Sequence, residues 1–267
     1  MRIPGRTTGP GRAARGLTGL AGLVGLVVVL ELLPRVGVVS ARYLPPFSTM
    51  MSALGEEIGD AEFWTALGDT LRAWALGLLI ALVLGVVLGV VIGSVPVLRA
   101  ATASTIEFLR PIPSVALIPL VVLVFGTRIE STLVLVVYAS FWQVLIQVLY
   151  GVQDVDPVVR ETARSYRFGP KALVRHVIWP TALPFVMTGF RLAATVALVL
   201  TITAELVIGS PGLGKEIAVA QSSGAVDTMY ALVIVTGLLG VIVNVGVRAV
   251  ERRTLAWHPS MRAEVPR

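Results

Sequence analysis

Three stretches of twenty residues, 73–92, 131–150 and 228–247, contain no arginine, lysine, aspartate or glutamate. As helices rising about 1.5 Å per residue, each is long enough to cross roughly 30 Å of hydrocarbon. The whole chain of 267 residues is 55% hydrophobic and only 14% charged, too little polar surface to cover a soluble domain. The expected fold class is therefore all-α and polytopic in a membrane.

Three further segments qualify with reservations that are physical. The run 185–204 holds only Arg191, near its start, where a long side chain reaches back to the interface, and it leads into Glu205. Ile112–Phe125 is short and carries Pro113 and Pro119, but extended back toward Ala100 it takes in Glu107 and Arg110 and reaches span length. Leu17–Leu33 follows Arg2, Arg6, Arg12 and Arg15, and its apolar part is interrupted by Glu31. It also has the layout of a signal peptide, with Val39 and Ala41 as small residues before a cut, although the apolar stretch resuming through Val36–Val39 favours a retained span.

Six spans place both termini on one side, and the basic residues say which. The cytoplasmic segments would hold Arg2, Arg6, Arg12, Arg15, Arg99, the cluster from Arg160 to Arg175, and Arg248, Arg252, Arg253, Arg262 and Arg267. The external ones would hold Glu56, Glu57, Asp60 and Glu62, with only Arg35, Arg42, Arg128 and Lys215 as basic residues. The net charge of +6 thus reports orientation in a bilayer and not nucleic-acid binding. Without cysteine, and with only His176 and His258, the chain has no disulfide framework, no thiolate nucleophile and little from which to build a metal site.

Two patterns inside the spans bear on packing. Gly77, Ala81, Gly85, Gly89 and Gly93 recur every fourth residue and form a groove that admits a second backbone, either within the bundle or at a dimer seam. Gln143 and Gln147 share one helix face, which either lines a path or binds a neighbouring helix.

The segment GSPGLGKE, with Gly209, Gly214 and Lys215, matches the G-x-x-x-x-G-K spacing of a phosphate loop. Glu216 stands where that loop places a magnesium-binding hydroxyl, and the segment follows a span on the external side, so a tight turn around Pro211-Gly212 is expected instead. The long cytoplasmic connection DPVVRETARSYRFGPKALVRHVIWPTALP reads differently. Asp156-Pro157 has the form of an N-cap and first helical residue, and Gly169-Pro170 that of a left-handed stop and a new start, predicting two short helices. Arg160, Arg164 and Arg167 make a basic stripe, beside a less polar face of Val159, Ala163 and Tyr166. A DNA-reading hairpin is excluded by spans on both sides. An amphipathic hairpin on anionic headgroups and a docking surface for a cytoplasmic partner satisfy the physics equally.

That connection resembles the EAA loop of the membrane subunits of binding-protein-dependent ABC importers. Glu161-Thr162-Ala163 stands for the EAA triplet, and Pro180 and Pro184 fall at the spacing of the closing element. The likeness continues through EFLRPIPSVALIPL (Glu107 to Leu120), AELVIGSPGLG (Ala204 to Gly214) and ERRTLAWH (Glu251 to His258), covers about residues 65 to 258, and is strongest to permeases of the sulfonate, taurine and nitrate group. Two positions depart from the pattern: Thr162 replaces the second residue of the triplet, and Arg167 stands where the family has glycine.

The resemblance implies a type I importer permease-like bundle over 64–250, with a coupling loop at 154–182, preceded by a tail, first span and external loop in 1–63 and followed by a cytoplasmic tail at 251–267. It implies docking of a cytoplasmic ATPase through Glu161, Thr162, Ala163, Arg164, Arg167, Gly169 and Pro180. Two ATPase subunits, a second permease copy in a homodimer and an extracytoplasmic solute-binding protein would complete the assembly in the plasma membrane. ATP and magnesium would sit on the ATPases, leaving this chain without cofactor, metal or catalytic residue. Glu107, Arg110, Gln143, Gln147 and Glu205 are the candidate pathway residues, Glu107 and Arg110 being alternatively a structural ion pair. A self-sufficient secondary transporter or channel would normally carry ionisable residues at mid-membrane, and the uncharged spans disfavour it.

Overall fold

The computed structural model describes residues 12–257. Arg2 and Arg6, and the tail with His258, Arg262 and Arg267, lie outside the described residues. Eleven helices follow one another: α1 Arg12–Arg35, α2 Phe47–Gly59, α3 Ala61–Ser94, α4 Pro96–Leu109, α5 Ile118–Phe125, α6 Ile129–Gln153, α7 Pro157–Ser165, α8 Pro170–Leu173, α9 Trp179–Ile208, α10 Leu213–Ser223 and α11 Val226–Thr254. No strand occurs among the described residues.

The core is a three-helix contact of α3, α6 and α9, and the small-residue stripe explains it. A Cβ on Gly77 would meet Val136, on Gly85 Val144, on Gly89 Val148 and on Gly93 Val152, a constant offset of 59 residues. Partners that advance together mean that α3 and α6 run in the same direction, each valine filling the space a glycine leaves. The stripe is thus spent inside the bundle, at helix separations only small residues permit. On α3's opposite face Leu79, Val83, Val87 and Val91 are exposed at the same four-residue spacing, as expected of a surface that meets lipid.

Two parallel neighbours require the chain to cross back between them. That return is made by α4 and by a 3-10 turn, Ser114–Leu117, running into α5, so the proline-bearing fifth span is a pair of segments bent by 80°. The cause is local: Pro111 and Pro113 have no N–H to give the carbonyls four residues earlier, Glu107 and Leu109. Tyr138 of α6 instead donates its hydroxyl to the Leu109 carbonyl at 2.7 Å, pinning the bend to the core.

Contacts of α9 run the other way. Gly151 of α6 lies against Ala182 and Phe185, Gly189 against Gln147, and Ser140 donates to the Ala193 carbonyl at 3.4 Å, so partner numbers fall as residue numbers rise. α11 is antiparallel to α9, fastened by the Arg191–Glu251 ion pair. That pair explains both the one charge in the fourth apolar run and the glutamate of ERRTLAWH. As a result α7 and the last turn of α11 lie at one end of the bundle, and α2 and α10 at the other.

Four helical segments among the described residues are long and apolar enough to cross a membrane, with the bent α4–α5 pair as a fifth. The expected sixth span, 17–33, lies within α1 and is not among those five. α1 is held to α2 by Glu31, which accepts from the Ser48 amide and hydroxyl at 2.9 and 3.0 Å.

Candidate functional site

The first half of the connection between α6 and α9 forms as its sequence predicts. Asp156 caps α7, its Oδ1 accepting from the Val158 amide at 2.7 Å with Pro157 in the first turn. The end of α7 corrects the expectation of a left-handed stop at Gly169. Gly169 has φ −66° and is extended, whereas Arg167, at the family's glycine position, has φ +56°. The Phe168 amide reaches back to the Ala163 carbonyl at 3.0 Å and the Arg167 amide to the Arg164 carbonyl at 2.8 Å. This pair of bonds is a Schellman stop, which demands a left-handed residue at the Arg167 position whatever its side chain. The chain keeps the geometry and accepts the steric cost of an L-residue there.

Arg167→Gly should therefore stabilise the protein by about 1 kcal/mol. A thermal melt of the purified protein checks it; an unchanged or lower midpoint contradicts the strain.

The second predicted short helix is also corrected. α8 passes through a π turn, Val174–Ile178, into α9 as one continuous helix over 170–208. The Trp179 amide bonds five residues back to the Val174 carbonyl. The widening comes just before Pro180, whose ring lacks an N–H and would crowd the His176 carbonyl in α register. Pro180 lies in α9's first turn and is half-buried.

α7 projects beyond the bundle with one buried residue, Ala163. Val158, Val159, Thr162, Ala163, Tyr166, Phe168 and Val177 line an open apolar groove of about 450 Å³. Tyr166 and Val158 are 77% and 68% exposed, an unusual display of apolar surface on a polar loop. Glu161, Arg164 and Arg167 are exposed around this groove, and among the described residues the Glu161 carboxylate has no partner. Arg160 differs from the other two arginines of its stripe. It turns back to α6, donating to the Val152 carbonyl at 3.2 Å.

At the opposite end, the phosphate-loop lookalike is a clasp closed by the protein itself. Glu205, fully buried, accepts through Oε2 from the Thr70 hydroxyl at 2.9 Å and the Gly214 amide at 3.0 Å. Thr70 accepts in turn from the Leu213 amide at 2.9 Å. Two amides that such a loop would turn to phosphate are thus taken internally, that of Gly214 by the Glu205 carboxylate and that of Leu213 by the Thr70 hydroxyl. Gly209 and Gly212 have φ of +77° and +146°, and a Cβ on Gly212 would strike the Glu205 carboxylate. The loop is not only a turn, since it continues as α10, which contains Lys215 and Glu216. In this conformation Glu205 offers no surface to a pathway. Nearby, burial together with Asp60, Glu216, Glu62 and Glu56 pushes the Glu57 carboxyl above its usual range, at a cleft at the α2 and α10 end of the bundle whose lining includes Glu57, Asp60, Glu62 and Glu216.

The remaining pathway candidates separate. Gln143 and Gln147 are half-buried against α9 where Gly189 lets it approach. Glu107 and Arg110 are exposed, form no ion pair among the described residues, and line a cleft of about 540 Å³ between the ends of α3, α4 and α6. Sequence reasoning missed Thr70, which carries no local signal because its partner lies 135 residues away. It read Arg99 only as an orientation charge, although Arg99, Ala103, Glu107 and Arg110 follow helical spacing and line that same cleft.

Residues 81–256 match the family described as binding-protein-dependent transport system inner membrane component. The chain is 33% identical over 232 residues to the putative aliphatic sulfonates transport permease protein SsuC of Escherichia coli (strain K12), covering 87% of this chain and 88% of that one. It is 30% identical over 226 residues to the taurine transport system permease protein TauC of the same organism, covering 83% and 82%. Among solved structures, a bacterial ABC transporter involved in the import of the acidic polysaccharide alginate shares the fold, with a TM-score of 0.62 at 16% identity over 90% of this chain and 96% of that one.

Proposed function

Because the chain belongs to the family of inner membrane components of binding-protein-dependent transport systems, we propose that it forms the translocation pathway for an organic sulfonate, taurine or a nitrate-like anion delivered by an extracytoplasmic binding protein. It is an ABC importer permease of the sulfonate, taurine and nitrate group, a transport subunit and not an enzyme. Two copies pair as a homodimer, and two cytoplasmic ATPase subunits, which carry ATP and magnesium, dock on their α7 helices. The observation that carries this reading is α7 itself: a capped, projecting helix with an apolar groove and an unpartnered Glu161 beside it. ATP-driven closure of the ATPases moves α7, which after the turn at Arg167 is joined to α8 and so to the continuous α8–α9 shaft, and the bundles alternate between inward-open and outward-open states. Glu107 and Arg110 border the cytoplasmic mouth, with Gln143 and Gln147 behind them.

The test is reconstitution with ATPase and receptor. Uptake of labelled taurine or an alkanesulfonate should require ATP and the receptor. Uptake driven by an ion gradient without the ATPase would instead establish the secondary-transporter reading.

With α1 taken as a sixth span, the arginine asymmetry supports an orientation that has the α7 end and both termini in the cytoplasm. In this cysteine-free chain, an impermeant thiol reagent added outside should label Ser52→Cys on α2 and leave Ser165→Cys on α7 unlabelled. Labelling of both would overturn the orientation.

A further inference from the structure

The cleft beside α4 has features that passage of a small inorganic ion does not call for. Arg99, Ala103, Glu107 and Arg110 lie on one face of α4, and Ile92, Ile106, Ile146 and Leu149 supply aliphatic wall. α4 buries none of its residues, so its charged face does not serve packing. Among the described residues neither Arg99 nor Arg110 has an ion-pair partner, and neither side chain donates a hydrogen bond to a protein acceptor. Unpaired guanidinium groups over an apolar wall match a ligand with an anionic head and an apolar body.

We infer that this cleft binds an oxyanion head carrying an aliphatic chain, with Arg99 as its principal cation. The two arginines are not equivalent. Glu107 stands three residues from Arg110, on the adjacent turn, and eight from Arg99, so its negative charge subtracts mainly from Arg110. Arg99 is also in the first turn of α4, which has no acidic residue, a placement that opposes the helix dipole unless an anion is bound nearby. The wall then discriminates by chain: an alkyl group leaves water against the three isoleucines and Leu149, while nitrate has nothing to bury there. The inference rests on the permease reading for the source of the ligand and not for the chemistry of the site. The same head and chain are offered by a free alkanesulfonate and by an anionic phospholipid of the inner leaflet.

The full chain in phosphatidylcholine nanodiscs would be titrated with nitrate and with ethane-, butane- and hexanesulfonate. Affinity should rise roughly two- to fourfold per methylene, the increment expected for burying a CH₂ group. The Arg99 side chain is exposed and, among the described residues, makes no ion pair or hydrogen bond, so Arg99→Gln retains the fold. That variant should lose about tenfold or more in affinity, Arg110→Gln should lose less, and Glu107→Gln should bind more tightly. If no alkanesulfonate binds but phosphatidylglycerol doped into the discs is retained in native mass spectra in an Arg99-dependent manner, the lipid is the source and the site stands. A flat chain-length series with nitrate bound equally well, or ligand retention indifferent to Arg99→Gln, overturns it. ATP-driven uptake by the wild-type complex is scored separately: uptake with no such binding removes the site alone, and binding with no uptake removes the permease reading alone.

Discussion

Glu161→Lys protein should insert and fold like the wild type yet capture its ATPase partner about thirtyfold less well, or worse. The Glu161 side chain has no partner within the chain among the described residues, and only its backbone carbonyl is engaged, by the Ser165 hydroxyl at 3.1 Å. Reversing its charge therefore breaks nothing inside this protein. At an interface the outcome differs, since a carboxylate facing a partner cation becomes a repulsive contact beside an apolar groove that must be desolvated on docking. Losing one hydrogen-bonded buried charge pair costs about 2–5 kcal/mol, which sets the thirtyfold scale. Uptake should fall with it, and Glu161→Gln should fall less. Pull-down of the ATPase by well-inserted Glu161→Lys protein is the measurement. Undiminished capture with normal uptake would return α7 to a hairpin lying on the membrane surface.

Glu205→Ala should act in the opposite way, damaging the fold first. Its removal strands the Thr70 hydroxyl and the Gly214 amide in a site with no solvent and opens a cavity between α3, α9 and α10. Leaving two buried donors without an acceptor costs about 1–3 kcal/mol each, enough for a large fall in the melting midpoint of the purified protein. Glu205→Gln keeps a carbonyl oxygen that both donors can still reach, and most of the stability should be retained. Gly214→Ala should resemble Glu205→Ala, because its Cβ would lie 2.6 Å from the Glu205 Cβ and 2.8 Å from the Leu206 amide nitrogen. Equal melting of Glu205→Ala and wild type would show that the clasp contributes nothing. Melting distinguishes the two carboxylates, since Glu161→Lys leaves the midpoint in place and Glu205→Ala does not.

Much of this architecture was legible in the residues. Apolar runs of span length, the Asp156-Pro157 start of α7 and the arginine asymmetry are local or compositional, and their meaning depends little on distant neighbours. The glycine stripe announced a close approach, but composition left open whether it lay within the bundle or between copies. The valines that answer it decided for the bundle, and their constant offset made α3 and α6 parallel. Local reading failed at the end of α7 for an instructive reason. Gly169 had the preferred residue type for a left-handed stop, but the Ala163–Phe168 bond places that stop at Arg167, a position chosen by helix length and not by the nearest glycine.

By itself, then, the sequence determined that this protein is helical and lives in a bilayer, which apolar runs form its crossings at 73–92, 131–150, 185–204 and 228–247, and where α7 starts. These follow from periodicity, hydropathy and capping, interactions that reach only a few residues along the chain. Only the tertiary structure decided that Glu205 closes a clasp with Thr70, that Arg191 finds Glu251, and that Arg99 and Arg110 share a cleft with α3 and α6. Those pairings join segments brought together by helix packing, and a buried polar group takes whatever partner that packing sets beside it, with no mark of the choice in its own neighbourhood.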